Sequence, residues 1–596
     1  MSAGKGLHDV SIAIGDDHVA LLDTARRFTA THCPPAVARA AMEGDGRHRP
    51  PFWDDLAALG WLGLAVPEDA GGEGFGFAEL AVVLEELGRA VAPGPVLPTV
   101  WAAAVLTASD AADDGGAADG VEAWGRLPDL AGGEMVGTVA LNARLVVRDG
   151  RVSGLAEPVL CGGAAGLVVA PATADGEERW FLVDAAAASV EPLDSLDATR
   201  PLARISFDAA PALPLPGVTR ERVAALGVAL AAAECAGGAA WCVDTASTYA
   251  ADRHQFGRPI GQFQGVKHRC ADMLVHLEQV RGLAWDAAVA LDTDPAADDT
   301  DLALAATGAL AFDGFVEVAK DCIQVLGGIG FTWEHDAHLY LRRAMALRQL
   351  LGGSSPWRQA AATAALAGTR RHLHLELPPE AEAFRAEIAA LADQIAALPK
   401  PERQVALADA GLIVPHWDPP WGRSAGAVEQ LVIDEELRRV RVRVPHLQVG
   451  AWAAPTISAH GTPEQQERWV RPTLHGEISW CQLFSEPEAG SDLASLTTRA
   501  TRTDGGWLLN GQKVWTTMAR EADWGICLAR TNPDAPKHLG ITYFVVDMKR
   551  ATGIDVRPLK ELTGLEMFNE VFFDDTFVPD DCVIGEVDGG WPLART

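Results

Sequence analysis

Apolar positions over residues 19–131 recur at the three-to-four spacing of amphipathic helices, with Asp-rich and Gly-rich loops near 109–120. From 134 to 215 the spacing shortens to β-type runs at 135–147, 167–170, 180–183 and 203–207, separated by turn residues. Residues 218–373 return to long helices, among them 222–254 and 302–326. The succession then restarts after Leu377-Pro378-Pro379-Glu380, whose prolines mark a linker. Helical periods cover 381–398, 428–439 and 444–460, and a capped helix start stands at 462–467. Strands follow from 478, over 507–517, 524–529, 541–546 and 571–577.

The restart is a repeat. Residues 59–72, LGWLGLAVPEDAGG, are echoed by 410–422, AGLIVPHWDPPWG; each is followed by an acidic helix, LEELGR at 84–89 and DEELRR at 434–439. The period far exceeds the about 20 to 50 residues of a solenoid, so duplication and fusion explain it. The expected domains are 11–132 (helical), 133–216 (a degenerate β domain), 217–373 (a helical bundle), 377–477 (helical) and 478–590 (β). Residues 591–596 would begin a bundle that the second copy lacks.

Composition narrows the class. A chain of 596 residues with 48% apolar content supports several cores. Its nine cysteines are scattered, without a CxxC pair or a cluster with histidine, which argues against a disulfide framework and against a metal site. The net charge of -32 disfavours nucleic acid. The start of the chain is mixed and polar, so a cytoplasmic location is expected. The longest apolar run, 223–243, is interrupted by Glu234 and glycines and reads as a buried bundle helix, not a membrane span.

Two segments carry the candidate chemistry: 480–492, WCQLFSEPEAGSD, and 511–517, GQKVWTT. Ser485, Gly490 and Ser491 are small enough for backbone amides to approach a heterocycle, while Trp515 offers an indole wall and Thr517 a hydroxyl. Donors fixed on strands are what tunes a redox ring. Together the segments resemble the flavin-binding signature of the acyl-CoA dehydrogenases. That resemblance implies an α+β multidomain fold: a helical domain, a β-barrel-like middle domain and a C-terminal helical bundle, followed here by a second, C-terminally incomplete copy. It also implies FAD contacts from Gln482, Phe484, Ser485, Gly490, Ser491, Trp515, Thr516 and Thr517, with Ser491 also touching the CoA arm of the substrate.

In the first copy, 253–264 (RHQFGRPIGQFQ) and 324–330 (QVLGGIG) resemble the family's segments for the pyrophosphate and adenylate. Arg253 would pair with the pyrophosphate through its planar fork, Gln264 would face the adenosine, and Gln324, Gly327 and Gly328 would let backbone approach the phosphates. Residues 134–215 hold no counterpart of the ring-binding segments; the nearest, Leu155-Ala156-Glu157-Pro158, lacks the Gly-Ser-Asp. Each copy keeps what the other is missing. One flavin site per pair is therefore expected, within one chain as a pseudo-dimer or between chains of a homo-oligomer.

The implied reaction removes an α proton and a β hydride from an acyl-CoA thioester, with electrons passing to an electron-transfer flavoprotein. Two-copy relatives of this kind suggest a steroid bearing a CoA-activated side chain. The family's basic glutamate is not found: Leu351 or Gly352 occupies its place in 348–355, and Glu221 reads as a solvated helix-start residue. Glu486 reads as a hydrogen-bond anchor, Lys513 as a strand-end charge, and Asp272 with Arg281 as a solvated helix face. The alternatives are a non-catalytic flavin-binding partner of a heteromeric enzyme, and an oxygen-using acyl-CoA oxidase.

Overall fold

Helical and strand periods sort into two units in the computed structural model, residues 1–373 and 374–596; residues 15–109, 122–371 and 377–595 are described. The loop expected up to residue 120 and the chain end at Thr596 lie largely outside the described residues.

The first unit opens with α1 (Asp16–His32), α2 (Pro35–Met42), α3 (Trp53–Ala58), α4 (Phe77–Arg89), α5 (Val96–Thr107) and α6 (Leu127–Ala131). A seven-stranded sheet follows: β1 (Gly137–Val139), β2 (Ala143–Arg148), β3 (Arg151–Leu160), β4 (Leu167–Ala174), β5 (Glu177–Asp184), β6 (Ser189–Leu193) and β7 (Leu202–Pro214). The bundle comprises α7 (Arg220–Asp252), α8 (Gln264–Thr293), α9 (Asp298–Leu326), α10 (Ala337–Leu350) and α11 (Ser354–Ala367), with the short hairpin β8 (His254–Gln255) and β9 (Arg258–Pro259) between α7 and α8. Two strands, β3 and β6, went unrecognised in the sequence because Gly154, Pro158 and Pro192 interrupt their alternation.

Helices α7 and α9 are long and apolar enough to cross a membrane; 94% and 67% of their apolar windows are buried within the unit. Close helix packing accounts for the small residues of α7. A Cβ on Gly237 would lie 1.7 Å from the Glu85 carbonyl, and one on Gly88 would lie 2.2 Å from that of Glu234. Gly237→Ala is therefore expected to force α4 and α7 apart and cost about 1–3 kcal/mol, read as a lowered thermal midpoint. From α8, Arg281 is buried against α4 and donates to Glu85 at 2.9 Å, with Glu278 of its own helix also at 2.9 Å. The solvated face expected for Asp272 and Arg281 is thus corrected: Asp272 is exposed, while Arg281 faces inward and needs the carboxylate.

The second unit has α12 (Ala381–Ala397), α13 (Lys400–Asp409), α14 (Ala427–Arg439), α15 (Gly450–His460) and α16 (Pro463–His475). The start of α16 follows from a capping box: Thr462 accepts from the Gln465 amide, and the Gln465 side chain accepts from the Thr462 amide. Helix α15 begins at Gly450, later than the 444 expected, because 443–448 is irregular. Eight strands follow: β10 (Trp480–Leu483), β11 (Arg499–Thr503), β12 (Gly506–Thr517), β13 (Trp524–Arg530), β14 (Ile541–Asp547), β15 (Ile554–Leu559), β16 (Phe568–Pro579) and β17 (Val583–Ile584). Strands β11, β15 and β17 were missed: β11 is short and largely polar, β15 has Asp555, Arg557 and Pro558 between its apolar residues, and β17 is two residues long. A short helix, α17 (Gly590–Leu593), comes last.

The two units share most of their strand pairings; they differ in that β5 also pairs with β7 whereas β14 pairs with β17. In the first, β1 runs parallel to β4, β2 pairs antiparallel with β3 and parallel with β4, β3 pairs with β7, β4 with β5 and β6 with β7. In the second, β10, β11, β12, β13, β14, β15 and β16 take the same partners in the same senses. Even the irregularities recur: β3 shifts register against β7 at Val152/Gly154 and Ala156/Val159, and β12 shifts against β16 at Leu509/Gly511 and Lys513/Thr516. The helical parts agree too. Arg26 of α1 pairs with Glu86 of α4 at 3.3 Å, and Arg385 of α12 pairs with Glu436 of α14 at 3.0 Å.

Candidate active site

Register makes the motif residues comparable. With both bulges aligned, Gly154 stands for Gly511, Ala156 for Lys513, Pro158 for Trp515, Val159 for Thr516 and Leu160 for Thr517. Gly154 and Gly511 share positive φ, 131° and 155°, which suits only glycine at these bulges. Residues 155–158, the stretch nearest to Ser-Glu-Pro in sequence, thus occupy the place of the second motif. The first motif has no room in the first unit. Only Ala140–Asn142 joins β1 to β2, whereas Phe484–Thr498 joins β10 to β11.

In the second unit that loop is pinned to the sheet. The Val514 amide donates to the Ser485 carbonyl at 2.9 Å, bringing the two motifs together. Glu486 closes its own turn through paired backbone bonds with Ala489, at 3.0 and 3.1 Å. Its carboxylate accepts from the Thr497 amide (2.6 Å), the Thr497 hydroxyl (2.8 Å), the Thr498 amide (2.9 Å) and Lys513 Nζ (2.8 Å). Lys513 also donates to the carbonyls of Phe484 (3.1 Å) and Leu528 (2.8 Å), so all three ammonium protons are engaged. Lys513 is fully buried, and the strand-end charge expected of it is corrected: its position on β12 points inward beneath the loop. Burial would raise the Glu486 carboxyl, but the Lys513 ammonium and the hydrogen bonds from Lys513, Thr498 and Thr497 outweigh it and hold it at about 2. Glu486 is thus an anchor.

Above this platform the candidate contacts differ in exposure. Trp515 is 63% exposed in the left-handed region, φ 61°, edge-on to Phe568 with ring centroids 6.1 Å apart. Thr516 is fully buried beside it, its hydroxyl without a hydrogen-bond partner, and Thr517 and Gln482 are half-buried. Phe484 is buried, Ser485 half-buried, and Gly490 and Ser491 exposed; a Cβ on Gly490 would meet nothing within 4 Å. The Ser485 amide donates to no protein group among the described residues. An exposed aromatic wall, free donors and open backbone fit a flat heterocycle rich in acceptors. Asn569, which the sequence reading missed, donates to the Thr516 and Met567 carbonyls at 3.0 Å each while its own Oδ1 lacks a partner. β16 also carries Glu570, Asp574, Asp575 and Thr576, so polarity along the strand did not single Asn569 out.

In the first unit, Arg253 caps the end of α7, its side chain exposed, and Phe256 and Gly257 turn the following hairpin at φ 54° and 79°. Gln264 is the exposed first residue of α8. Gln324 is exposed near the end of α9, which Gly327 closes at φ 66°; Gly327 and Gly328 have open space around them. One cleft is lined by Thr248, Tyr249 and Asp252 of α7 together with Leu326 and His335, so Arg253 and Gly327, each next in sequence to a lining residue, stand at the same end of the bundle. In 348–355 Leu351 is buried and Gly352 and Gly353 follow at φ 83° and 69°; this loop offers no carboxylate.

The comparisons agree with this architecture. The description "Acyl-CoA dehydrogenase, N-terminal domain" matches twice, at 15–115 and 378–477; the middle-domain description matches 481–576 and the C-terminal one 222–365. Acyl-CoA dehydrogenase FadE34 of Mycobacterium tuberculosis is 49% identical over 98% of this chain and 80% of its own length. Among solved structures, a variant of the Tcur3481–Tcur3483 steroid ACAD is 29% identical with a TM-score of 0.54, over 59% of this chain and 99% of that one. The ChsE4–ChsE5 complex of M. tuberculosis is 25% identical with a TM-score of 0.54, over 61% and 100%. The chain belongs to the acyl-CoA dehydrogenase family, in a form with two fused copies, and members of that family bind FAD.

Proposed function

We propose that the chain carries one FAD, with its ring on the second unit's sheet, and uses it to desaturate the α,β bond of a steroid side-chain CoA thioester. The observation that carries this reading is the register comparison, in which one sheet has the loop and the donors and the other has Ala156, Pro158, Val159 and Leu160 in their place. Gln482, Phe484, Ser485, Gly490, Trp515, Thr516 and Thr517 would hold the ring. Arg253, Gln264, Gln324, Gly327 and Gly328 would serve the pyrophosphate and adenylate, in this chain or in a second copy.

When bound, the flavin supplies the acceptor for the hydride leaving the β carbon. The protein's part is to fix the ring against Trp515, to offer the Ser485 amide and the Thr517 hydroxyl to its acceptors, and to meet the CoA arm with Ser491. The steroid assignment is supported by the likeness to a protein described as a steroid ACAD. Electron-transfer flavoprotein is the proposed electron acceptor and the cytoplasm the proposed location.

A second reading, a flavin-holding partner without turnover, is favoured by one observation: Leu351, Gly352 and Gly353 stand where a base would be. The two readings separate in one experiment. Purified protein is assayed for flavin per chain and mixed anaerobically with straight-chain and steroid CoA thioesters. One flavin per chain, bleached by a steroid thioester, is expected. A flavin inert to every thioester would select the partner role, and two flavins per chain would refute the single-ring assignment.

A further inference from the structure

Two residues on the second unit's sheet take a backbone shape that side chains seldom adopt. Trp515 and Met518 stand at φ 61° and 53°, on either side of Thr516 and Thr517. Val514 and Trp515 lie opposite the single residue Glu570, between the register pairs Lys513/Val571 and Thr516/Asn569, and so form a β-bulge. A left-handed bulge position ordinarily falls to glycine, which has no Cβ to clash. A tryptophan there is unfavourable on its own and persists only where its surroundings hold it.

The holding contacts come from Asn569. Its side chain is fully buried, and its amide nitrogen donates to the Thr516 carbonyl and to the Met567 carbonyl, at 3.0 Å each. The Met567 carbonyl also accepts from the Met518 amide at 2.8 Å. The peptides on both sides of Thr517 are thereby tied, directly or through Met567, to one side chain.

The first unit supplies the comparison. At the same bulge Pro158 stands for Trp515 and Ala203 for Asn569. The ring of a proline fixes φ on the negative side, so no left-handed residue needs holding there, and Ala203 has no amide to hold one. The turn that follows is common to both units: Cys161 stands at φ 52° with its amide on the Pro201 carbonyl at 2.8 Å, as that of Met518 is on Met567. The Asn569 amide accompanies the left-handed tryptophan, not the shared turn.

We infer that Asn569 is a positioning residue of the flavin site. It keeps residues 515–518 in the shape that exposes the indole and sets the Thr517 hydroxyl, so that the ring meets a surface already formed. The inference rests on the reading that the ring lies on the second unit's sheet.

The test measures the flavin dissociation constant and the visible spectrum of the full-length holoenzyme. Asn569→Ala copies the first unit, Asn569→Leu fills the same space without an amide, and Trp515→Gly needs no clamp. Both Asn569 variants are expected to weaken flavin binding about tenfold and to shift the visible bands, because binding must then order the segment itself. Trp515→Gly is expected to weaken binding through loss of the indole, and adding Asn569→Ala to it is expected to change nothing further. Unaltered binding and spectrum in the Asn569 variants, full binding in Asn569→Leu alone, or a double variant weakened by the product of the two single losses overturns the positioning role. Trp515→Gly with wild-type binding and spectrum would instead remove the reading beneath it.

Discussion

Lys513→Met is expected to destabilise the second unit by about 3–5 kcal/mol and to strip the protein of flavin. The substitution leaves the Glu486 carboxylate buried with only its hydroxyl and amide donors, and leaves the Phe484 and Leu528 carbonyls without the ammonium that joins them. Calorimetry of the full chain should show one of its transitions falling by roughly 6–20 °C, given about 2–4 °C per kcal/mol for a unit of this size. Adding Glu486→Gln should recover part of the loss, because the uncompensated charge is then gone. A single variant with an unmoved transition, or a double variant as damaged as the sum of both singles, would show that the pair does not act as one unit.

The same pair sets an acid limit. Glu486 titrates at about 2 in the folded protein against 4.5 ordinarily, so its folded pKa is depressed. The stabilisation, about 3 kcal/mol, is fully present above pH 4.5 and is lost as the pH falls toward 2. Flavin release should follow the same window, since the carboxylate holds Thr497 and Thr498 at the end of the ring-binding loop.

Much of this arrangement was legible in the residues before any coordinates. The LEELGR and DEELRR echoes revealed the duplication, and the helices they belong to carry matching ion pairs, Arg26 with Glu86 and Arg385 with Glu436. The missing ring contacts of the first copy were legible as well. Their cause was not, because the absence of a motif looks the same whether a loop has changed or is missing. Register resolves it: a three-residue linker after β1 leaves no backbone to hold a ring. Lys513 and Arg281 were misread for a shared reason. A single charged residue reads as solvated unless its partner is known, and Glu486 and Glu85 lie 27 and 196 positions away. Composition alone cannot pair residues across such separations.

Thr517→Leu carries the register argument to its sharpest consequence, since it installs at one position what the first copy already has at Leu160. Removing one preorganised donor from a reacting centre costs about 10²–10³ in rate. The fold should survive, because leucine at the equivalent position is accommodated in an identical strand pairing, so flavin should be retained in part and its visible spectrum altered. The expected result is a fall of about 10²-fold in the rate of thioester-dependent bleaching with an unchanged thermal midpoint. The reciprocal change, Leu160→Thr, should bind no additional flavin: a hydroxyl there faces the short linker Ala140–Asn142, without the Ser485 amide or the exposed indole that complete the site on the other sheet. Recruitment of a second flavin by Leu160→Thr would mean that the loop is dispensable and that the two sheets differ by one side chain. A Thr517→Leu protein with full bleaching rate would instead place the ring elsewhere on the second unit.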